Sequence, residues 1–474
     1  SADGLYPIAL LVDEMKSEDT EVRIHAMKRL RTLGIAIGPE RCRMELIPFL
    51  NEQVEDDDEV LLVLAEELGH FVDLVGGPEH SVSLMEPLGT LATVEETVVR
   101  DEAVKSACVV ISGLDDAAVV AHVLPVIRRL TNGDWFTARV SACGLFAAAY
   151  DRLSNDEAKT ELRSLFSTLC NDDTPMVRRA AAKNLGKLAS VVEESVLTTE
   201  LLPTFNTLAG DDQDSVRLLA IENCTALASV LSQANNQVHI LPLVKTCAQD
   251  KSWRVRNNVA KEFHQLSAAM GAEATVTDLL ALFVSLLKDS EGEVRASAGK
   301  NVDGYFDLVG ADHFVSMIVP ALRELAGDLA QNVRMAVCAS VTSVVAKIPA
   351  ALATTHLVPV LLGFLRDESA EVRQKVLEKL NNVVKAVGAE VVNTSVLPVI
   401  SSLVTDPQWR VRQHVMEQLP LLATYLGADV FDEKLLLLYL SCYHDQVNAV
   451  RLSATQQLEP LTNALGVDWC VAKV

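Results

Sequence analysis

Aromatic side chains are scarce in this chain of 474 residues: Phe, Trp and Tyr together make up 5%, although 49% of the residues are hydrophobic. Leu, Val and Ala therefore carry the apolar content, which suits closely packed helices. The sequence also lacks Gly/Ser/Pro-rich linkers and low-complexity tracts. Because one compact core stops growing near ~250–300 residues, the length implies several domains or a repeat array.

Excess positive charge is also missing, since 41 Lys and Arg stand against 64 Asp and Glu, for a net charge of −23. This balance disfavours nucleic acid and acidic lipid as partners. No uninterrupted apolar run approaches the ~18 residues of a membrane span, so no membrane partner is expected. The densest acidic run, EDDDE from Glu55 to Glu59, is either a solvated loop or a docking site for a basic partner.

The nine cysteines stand singly in apolar segments and form no CxxC pair. This pattern is typical of buried thiols in a reducing compartment, so we expect a cytoplasmic location, with the nucleus as a second one. The ten histidines are dispersed, and the sequence has no HExxH motif, nucleophile elbow or Gly-rich phosphate loop. We therefore expect no catalytic residues, no metal, no cofactor and no small-molecule substrate.

Arginine recurs at intervals of 39 residues from Arg100 to Arg451, and Arg23 and Leu61 extend the series backwards with one step of 38. Val precedes this position in every repeat except one, where Ala138 replaces it. Aspartate stands six residues before the arginine in eight repeats: Asp172, Asp211, Asp250, Asp289, Asp328, Asp367, Asp406 and Asp445. A second periodic row is proline, as at Pro203 and Pro242. A period held this strictly predicts a solenoid.

Each unit has two segments whose apolar residues follow spacings of three and four, as in Val216, Leu219, Ala220, Cys224 and Leu227. We therefore predict an all-α solenoid, a right-handed superhelical rod of about twelve two-helix repeats. The predicted repeats span residues 5–42, 43–80, 81–119, 120–157, 158–196, 197–235, 236–274, 275–313, 314–352, 353–391, 392–430 and 431–466, followed by the start of a thirteenth at 467–474.

The turn between the two helices carries the informative chemistry. A periodic arginine in the first turn of the second helix is disfavoured by the helix dipole unless it is compensated. The nearby aspartate therefore predicts a ladder of Asp–Arg pairs within or between repeats. Three of the four tryptophans also fall in this turn, at Trp135, Trp253 and Trp409. They are either anchors for protein partners, since Trp and Arg are enriched at interface hot spots, or rings that cover the neighbouring turn.

Other turns are distinctive too. In DDTPMVRR, Thr174 is predicted to be the N-cap and Pro175 the first helical residue, and Arg179 is additional to the periodic arginine. In LATVEETVVR, Glu95 and Glu96 occupy the place of the usual aspartate. Residues on a shared ridge that the repeat itself does not require are candidates for binding specificity.

The pattern of Pro in the first helix, Asp in the turn and Val-Arg opening the second helix resembles the HEAT repeat. The stretches LATVEETVVRDEAV, GDWFTARVSACGLF, DDTPMVRRAAA and DKSWRVR resemble more specifically the scaffold (A) subunit family of type-2A serine/threonine protein phosphatase. The likeness runs from Leu5 to about Trp469. It implies a non-enzymatic scaffold whose aligned turns dock a variable regulatory subunit on the N-terminal repeats and the phosphatase catalytic subunit on the C-terminal ones.

Carried over by position, the resemblance implies two sets of binding residues. Those for the regulatory subunit are Glu95, Glu96, Trp135, Asp173, Pro175, Arg179, Trp253 and Arg254. Those for the catalytic subunit are Trp409, Arg410 and Asn448. Asn448 departs from the aromatic residue common in the family, and the family has fifteen repeats, so the catalytic-subunit region is expected to be incomplete. The alternative interpretation is a HEAT-repeat nuclear transport receptor, or another adaptor, that binds basic cargo.

Overall fold

A computed structural model describes residues 6–474, with side chains from Leu10 onwards. Residues 1–5, which include the start of predicted repeat 1 and of the family likeness at Leu5, lie outside the described residues. Within 6–474 the regular elements are all helical. The chain divides into two compact units, one ending at Asn235 and the other running from Asn236 to Val474.

In the first unit, the first helices of the repeats are often split by a short π or 3-10 segment. Their bounds are Tyr6–Met15; Pro39–Arg41, Cys42–Leu46 and Ile47–Glu52; Pro78–Leu84 and Met85–Leu91; Asp116–Ala118, Val119–Val123 and Leu124–Thr131; Asp156–Cys170; Glu194–Val196, Leu197–Leu201 and Leu202–Ala209; and Gln233–Asn235. The second helices are Thr20–Met27 and Leu30–Ile37; Asp58–Gly69; Thr97–Ser112; Phe136–Ala142 and Phe146–Arg152; Pro175–Ala189; and Asp214–Glu222 and Cys224–Val230.

The second unit repeats the same plan. Its first helices are Asn236–Ile240 and Leu241–Cys247; Ala272–Ala274, Thr275–Leu279 and Leu280–Leu287; Phe314–Ile318 and Val319–Leu325; Ala350–Leu352, Ala353–Leu357 and Val358–Leu365; Val392–Val396 and Leu397–Leu403; and Leu436–Ser441 and Cys442–His444. Its second helices are Trp253–Met270; Gly292–Lys300 and Val302–His313; Gln331–Val344; Ala370–Glu378 and Leu380–Val391; Trp409–Lys434; and Asn448–Gln456 and Leu458–Leu465. Val467–Lys473 follows.

The predicted repeat boundaries fall close to these helices but not at their ends. The first helix of repeat 2 begins at Pro39 rather than 43, and that of repeat 6 at Glu194 rather than 197. The opening turns carry polar residues such as Glu40, Glu194 and Gln233, which do not belong to the apolar stripe. A repeat boundary that is predicted from the first apolar residue therefore falls a few residues inside the first helix of the repeat.

Packing within each unit joins equivalent helices of successive repeats. Asp58–Gly69 lies against Thr97–Ser112, and Gly292–Lys300 lies against Gln331–Val344. The stripe predicted from the sequence is buried: Val216, Cys224 and Leu227 have no exposed surface. Because the apolar stripe of a single helix pair can be covered only by its neighbours, burial of this kind is what stabilises a repeat array.

The few aromatic residues concentrate in this core. Phe263, Phe283 and Tyr305 stack across repeats 7 and 8, with ring centroids 4.0 Å apart for Phe283–Tyr305 and 5.7 Å for Phe263–Phe283. All three are fully buried. Aromatic pairs at these distances add stabilisation beyond the burial of their area. Most of the core is filled by the aliphatic side chains of the packed helices, which is why the chain needs few aromatic residues.

One stretch, Leu380–Leu403, is long and apolar enough by composition to cross a membrane, and 44% of its most apolar window is buried inside the protein. It is not one straight helix, because Gly388 has φ 80 and ψ 165 and separates two helices there. Leu380, Val384 and Val392 have no exposed surface. The stretch is therefore part of the repeat core.

All nine cysteines lie within residues 6–474 and none of them forms a disulfide there; seven are buried, while Cys108 and Cys470 are half-buried. The prediction of single buried thiols without a disulfide framework is confirmed for these residues. Burial raises the pKa of the Cys143 thiol to about 12 and that of Cys338 to about 12. Such thiols are poor nucleophiles at neutral pH, since only the thiolate reacts.

Candidate protein-docking turns

The periodic arginine connects its own turn to the turn of the next repeat. In repeat 7, Arg256 Nη1 donates to the Asp250 carbonyl at 2.8 Å. The other edge of the same guanidinium donates to the Asp289 carboxylate of repeat 8, from Nε at 2.7 Å and from Nη2 at 2.9 Å. This bidentate geometry is the strongest that arginine makes with a carboxylate. Each arginine thus joins two repeats through one planar group.

The same rung recurs in both units, always between residues 33 apart in the sequence. The rungs are Arg23–Asp56, Arg139–Asp172, Arg178–Asp211, Arg256–Asp289, Arg295–Asp328, Arg334–Asp367, Arg373–Asp406 and Arg412–Asp445. The predicted Asp–Arg ladder is therefore confirmed, and its carboxylate comes from the following repeat. This pairing offsets the unfavourable interaction between the arginine charge and the positive end of the helix dipole in the first turn.

Each ladder aspartate also organises its own turn. Asp328 Oδ1 accepts a hydrogen bond from the backbone N–H of Ala330 at 2.9 Å. Burial alone would raise the pKa of Asp328, but its hydrogen bonds to Arg295 and to the Ala330 amide outweigh burial, and the pKa is lowered. The carboxylate is thus held ionised while it closes the turn and pairs with the preceding repeat. This double role explains why the aspartate recurs even in turns with otherwise ordinary sequences.

The acidic run at Glu55–Glu59 belongs partly to this ladder. Asp56 pairs with Arg23 Nε at 2.9 Å, and Asp57 pairs with Arg23 Nη2 at 2.6 Å. Two of its carboxylates are therefore used within the protein. The predicted alternatives, a solvated loop or a basic docking site, both treated the run as free charge, because the step of 38 residues hid Asp56 from the aspartate series.

The ladder is interrupted in two places in the first unit. Between repeats 2 and 3 the two positions are Leu61 and Val94, so this rung is apolar on both sides. The expectation that Glu95 and Glu96 take the place of the aspartate is therefore wrong, because they follow that position by one and two residues. Between repeats 3 and 4, Arg100 has Gly133 at the position where the following repeat usually supplies aspartate. Arg100 donates instead to the Val94 carbonyl at 2.8 Å and to the Thr97 hydroxyl at 3.0 Å.

The turn tryptophans lie at the protein surface. Trp135 is 77% exposed and immediately precedes the second helix of repeat 4. Trp253 is 38% exposed and is the first residue of its helix. Trp409 begins the second helix of repeat 11 and is half-buried. Large exposed indoles are unusual on a monomer surface and mark contact sites. Trp135 leaves most of its ring open to solvent, and its role as a partner anchor stays a prediction.

Two of these rings are paired with the arginine that follows them. The Arg410 guanidinium lies 4.5 Å from the centroid of Trp409, and that of Arg254 lies 5.9 Å from Trp253. Both arginines are exposed. A stacked Trp–Arg pair presents a flat apolar surface with a cation beside it, and the side chains lose less freedom on binding because they are already ordered.

The remaining predicted residues are distributed over the same turns. Glu95, Asp173, Pro175, Arg179 and Asn448 are exposed. Glu96 is half-buried, and its carboxylate accepts from the Val98 amide, so it serves as an N-cap. Asn448 Oδ1 accepts from Arg451 Nη2 at 3.3 Å. The available geometry does not distinguish regulatory-subunit from catalytic-subunit contacts, and both sets remain predictions.

One local expectation needs correction. Thr174 is the N-cap residue by position, but its hydroxyl makes no capping hydrogen bond. Its Oγ1 instead accepts from Arg139 Nη2 at 3.2 Å, while the Asp172 carboxylate takes the Thr174 amide at 2.8 Å. The ladder aspartate, two residues earlier, therefore orders the turn before the helix, and the helix Pro175–Ala189 begins without a side-chain cap.

The structure also adds two turn residues that the sequence analysis did not single out. Leu329 is 100% exposed and directly follows the ladder residue Asp328. Met176 is 56% exposed beside Pro175. The position after the ladder aspartate varies from repeat to repeat, and this variability inside a strict period is the signal that identifies Leu329. Within residues 6–474 no cluster of three His, Cys, Asp or Glu side chains could hold a metal ion.

Comparison with known proteins gives matches of two kinds. A family model described as PPP2R1A-like HEAT repeat matches residues 272–348 and 350–427, and the general HEAT repeat model matches 162–192. The 65 kDa regulatory subunit of phosphatase PP2A from Drosophila melanogaster is 54% identical over 195 residues, 41% of this chain and 33% of that protein. The A alpha isoform of Arabidopsis thaliana is 53% identical over 195 residues, with the same 41% and 33% coverage.

The matched region thus spans about a third of the length of these curated relatives. Among solved structures, Kap95p with RanGDP has a TM-score of 0.72 at 12% identity, covering 97% of this chain and 61% of that one. Kap121p bound to RanGTP has a TM-score of 0.66 at 14% identity, covering 98% and 49%. Identities this low establish the fold alone. The chain is an all-α HEAT-repeat solenoid, and over the matched segment it is similar to the 65 kDa regulatory subunits of protein phosphatase 2A.

Proposed function

We propose that this chain is a non-catalytic scaffold of a type-2A serine/threonine phosphatase, acting in the cytoplasm or nucleus. Its N-terminal turns dock a variable regulatory subunit, and its C-terminal turns dock the phosphatase catalytic subunit. The observation that carries the proposal is the exposure of Trp135 and Trp253 at turns whose charged ladder residues are already paired. What remains exposed there is available to a partner.

The chemistry of the turns supports protein rather than small-molecule or nucleic-acid recognition. Exposed indoles, a stacked guanidinium and single apolar side chains such as Leu329 are typical of interface hot spots. The net charge of −23 opposes binding to a phosphate backbone. A scaffold of this kind makes the encounter of its two partners effectively intramolecular and needs no catalytic group of its own.

The transport-receptor alternative receives no specific support. The Kap95p and Kap121p structures share the fold at 12–14% identity, whereas the phosphatase subunits share 53–54% identity over the matched segment. Binding of a basic localisation peptide, with no affinity for either phosphatase subunit, would reverse this preference.

The test is the substitution Trp253→Ala in the full chain. The indole stands at the start of a helix and is 38% exposed, so the repeats should stay folded without it, and a thermal melt checks this. Binding of a phosphatase regulatory subunit, measured by calorimetry, should weaken by about 2 kcal/mol or more. Met44→Ala, which removes a 73% exposed side chain outside the turns, is the control and should bind normally. Unchanged affinity with Trp253→Ala would contradict the anchor role.

A further inference from the structure

The second helices of repeats 3, 4 and 5 form a groove that the docking turns do not use. The groove has a volume of ≈ 630 Å³, which lies within the range of about 300–1,000 Å³ typical of ligand sites. The lining residues that matter for binding are Asp101, Lys105, Val109, Ser141, Lys183 and Lys187. All of these lie in the first unit.

One wall of the groove carries unpaired positive charge. Lys183 and Lys187 are exposed and one turn apart on Pro175–Ala189, and Arg179 lies one turn earlier on the same helix. In the described chain, no carboxylate lies within ion-pair distance of Lys183 or Lys187, whereas Lys105 on the opposite wall pairs with Glu102 at 3.0 Å. Asp101 is the carboxylate that lines the groove. The two lysines therefore present adjacent positive charges on the surface of a chain whose net charge is −23.

The floor of the groove has both an apolar and a polar component. Val109 is 51% exposed, which leaves a β-branched side chain open to a ligand. Ser141 is only 5% exposed, and its hydroxyl has no hydrogen-bond partner within residues 6–474. Buried hydroxyls are normally paired, so one that lines a groove without a partner points to a missing acceptor or donor. Cys108 does not supply it, because its Sγ donates to the Gly144 carbonyl at 3.4 Å.

We propose that this groove binds an extended acidic peptide segment of a protein partner, with carboxylates at alternate positions. Residues four apart on a helix are separated by about 6 Å along its axis. Alternate side chains of an extended strand are separated by nearly the same distance, about 6.6–6.8 Å. Two such carboxylates therefore reach Lys183 and Lys187 together, and the side chain between them points away from the lysines. This surface is separate from the turn tryptophans and does not depend on the phosphatase assignment.

The test uses the full chain and a fluorescein-labelled heptapeptide in which Glu alternates with Val, followed by fluorescence anisotropy at low salt. The substitution pair Lys183→Glu and Lys187→Glu should weaken binding at least tenfold. The matched pair Lys28→Glu and Lys379→Glu makes the same change in net charge at exposed lysines outside the groove and should change affinity less than threefold. Both pairs alter exposed side chains, so their thermal melts should match the parent.

Three further arms make the result decisive. A peptide with Gln in place of Glu should not bind, and millimolar inorganic phosphate should not displace the Glu peptide if two spaced carboxylates are recognised. Replacing Val109 by Asp should also weaken binding, because it adds like charge to the apolar floor. Equal loss with both lysine pairs, binding of the Gln peptide, full displacement by phosphate, or no binding of the Glu peptide would each overturn the proposal.

Discussion

Replacing Arg334 by Leu should destabilise the repeats on either side of it, because it leaves a buried carboxylate without its counter-ion. Arg334 donates to Asp367 from Nε at 2.7 Å and from Nη2 at 3.1 Å, and the two side chains are only 6% and 5% exposed. Removing one partner of a buried ion pair costs about 3–5 kcal/mol. Since about 1.4 kcal/mol is a factor of ten, local opening should become more frequent by about two to three and a half orders of magnitude.

Hydrogen exchange measured by mass spectrometry is the appropriate assay, because a repeat array opens locally rather than in one transition. Peptides from Gln331–Val344 and Ala370–Glu378 should exchange faster by the stated factor, while peptides of the first unit should not change. Lys288→Leu is the control. It breaks an ion pair with Glu324 whose side chains are 44% and 62% exposed, and should cost at most about 1 kcal/mol.

The double substitution Arg334→Leu and Asp367→Leu gives the sharper test. It copies the apolar rung that this chain already has at Leu61 and Val94. Replacing both charges with apolar groups removes the penalty of an unpaired carboxylate, so the double variant should be more protected than Arg334→Leu alone. The remaining loss, about 1 kcal/mol, comes from the hydrogen bond that Asp367 accepts from the Ser369 amide. Exchange in Arg334→Leu within fivefold of the parent, or additive losses in the double variant, would refute the reasoning.

Two further predictions concern titratable groups. Hydrogen bonds from Arg412 and, to a lesser extent, the Val447 amide lower the pKa of Asp445. Its stabilising effect is complete above the ordinary unfolded pKa of about 3.9 and is lost as pH falls through the lower folded value. Thermal melts should therefore decline below about pH 4, and less steeply in Arg412→Leu; identical profiles would contradict this. Burial raises the pKa of Cys143 and of Cys338 to about 12, so iodoacetamide at pH 8 should label them only after unfolding, as mass spectrometry of timed samples can show.

Much of the architecture was predictable from periodicity. The 39-residue spacing required equivalent residues to recur at equivalent places, and the apolar spacing within each period required two helices that need neighbours. The existence of an Asp–Arg ladder followed from the cost of a cation in the first turn of a helix. Whether Arg256 would pair with Asp250 or with Asp289 did not follow, because both belong to turns that the arginine can reach. The structure shows that it uses the carbonyl of one and the carboxylate of the other.

Other features depend on tertiary contacts that a single sequence does not encode. The position of Leu329 after Asp328 marks it in the sequence as a variable turn residue, but only the structure shows that this leucine is fully exposed. Lys183 and Lys187 look like ordinary surface lysines until the neighbouring helices show that, within residues 6–474, no carboxylate lies within ion-pair distance of them and that they line a groove. The split first helices, such as Thr275–Leu279 with its π geometry, were also not predicted, because amino-acid propensities do not distinguish i→i+5 from i→i+4 hydrogen bonding.

The fixed distance of 33 residues within each rung limits which insertions and deletions a chain of this kind can accept. Arg23 and Asp56 keep that distance, while Asp56 and Leu61 are five residues apart rather than the usual six. The missing residue therefore falls just before Leu61, which is the one ladder position within residues 6–474 without an arginine, so no guanidinium there depends on the spacing. Elsewhere, gaining or losing one residue between an arginine and its aspartate would break a contact between neighbouring repeats. Length should therefore change by whole repeats over evolutionary time, and single-residue changes should persist mainly in the links between repeats.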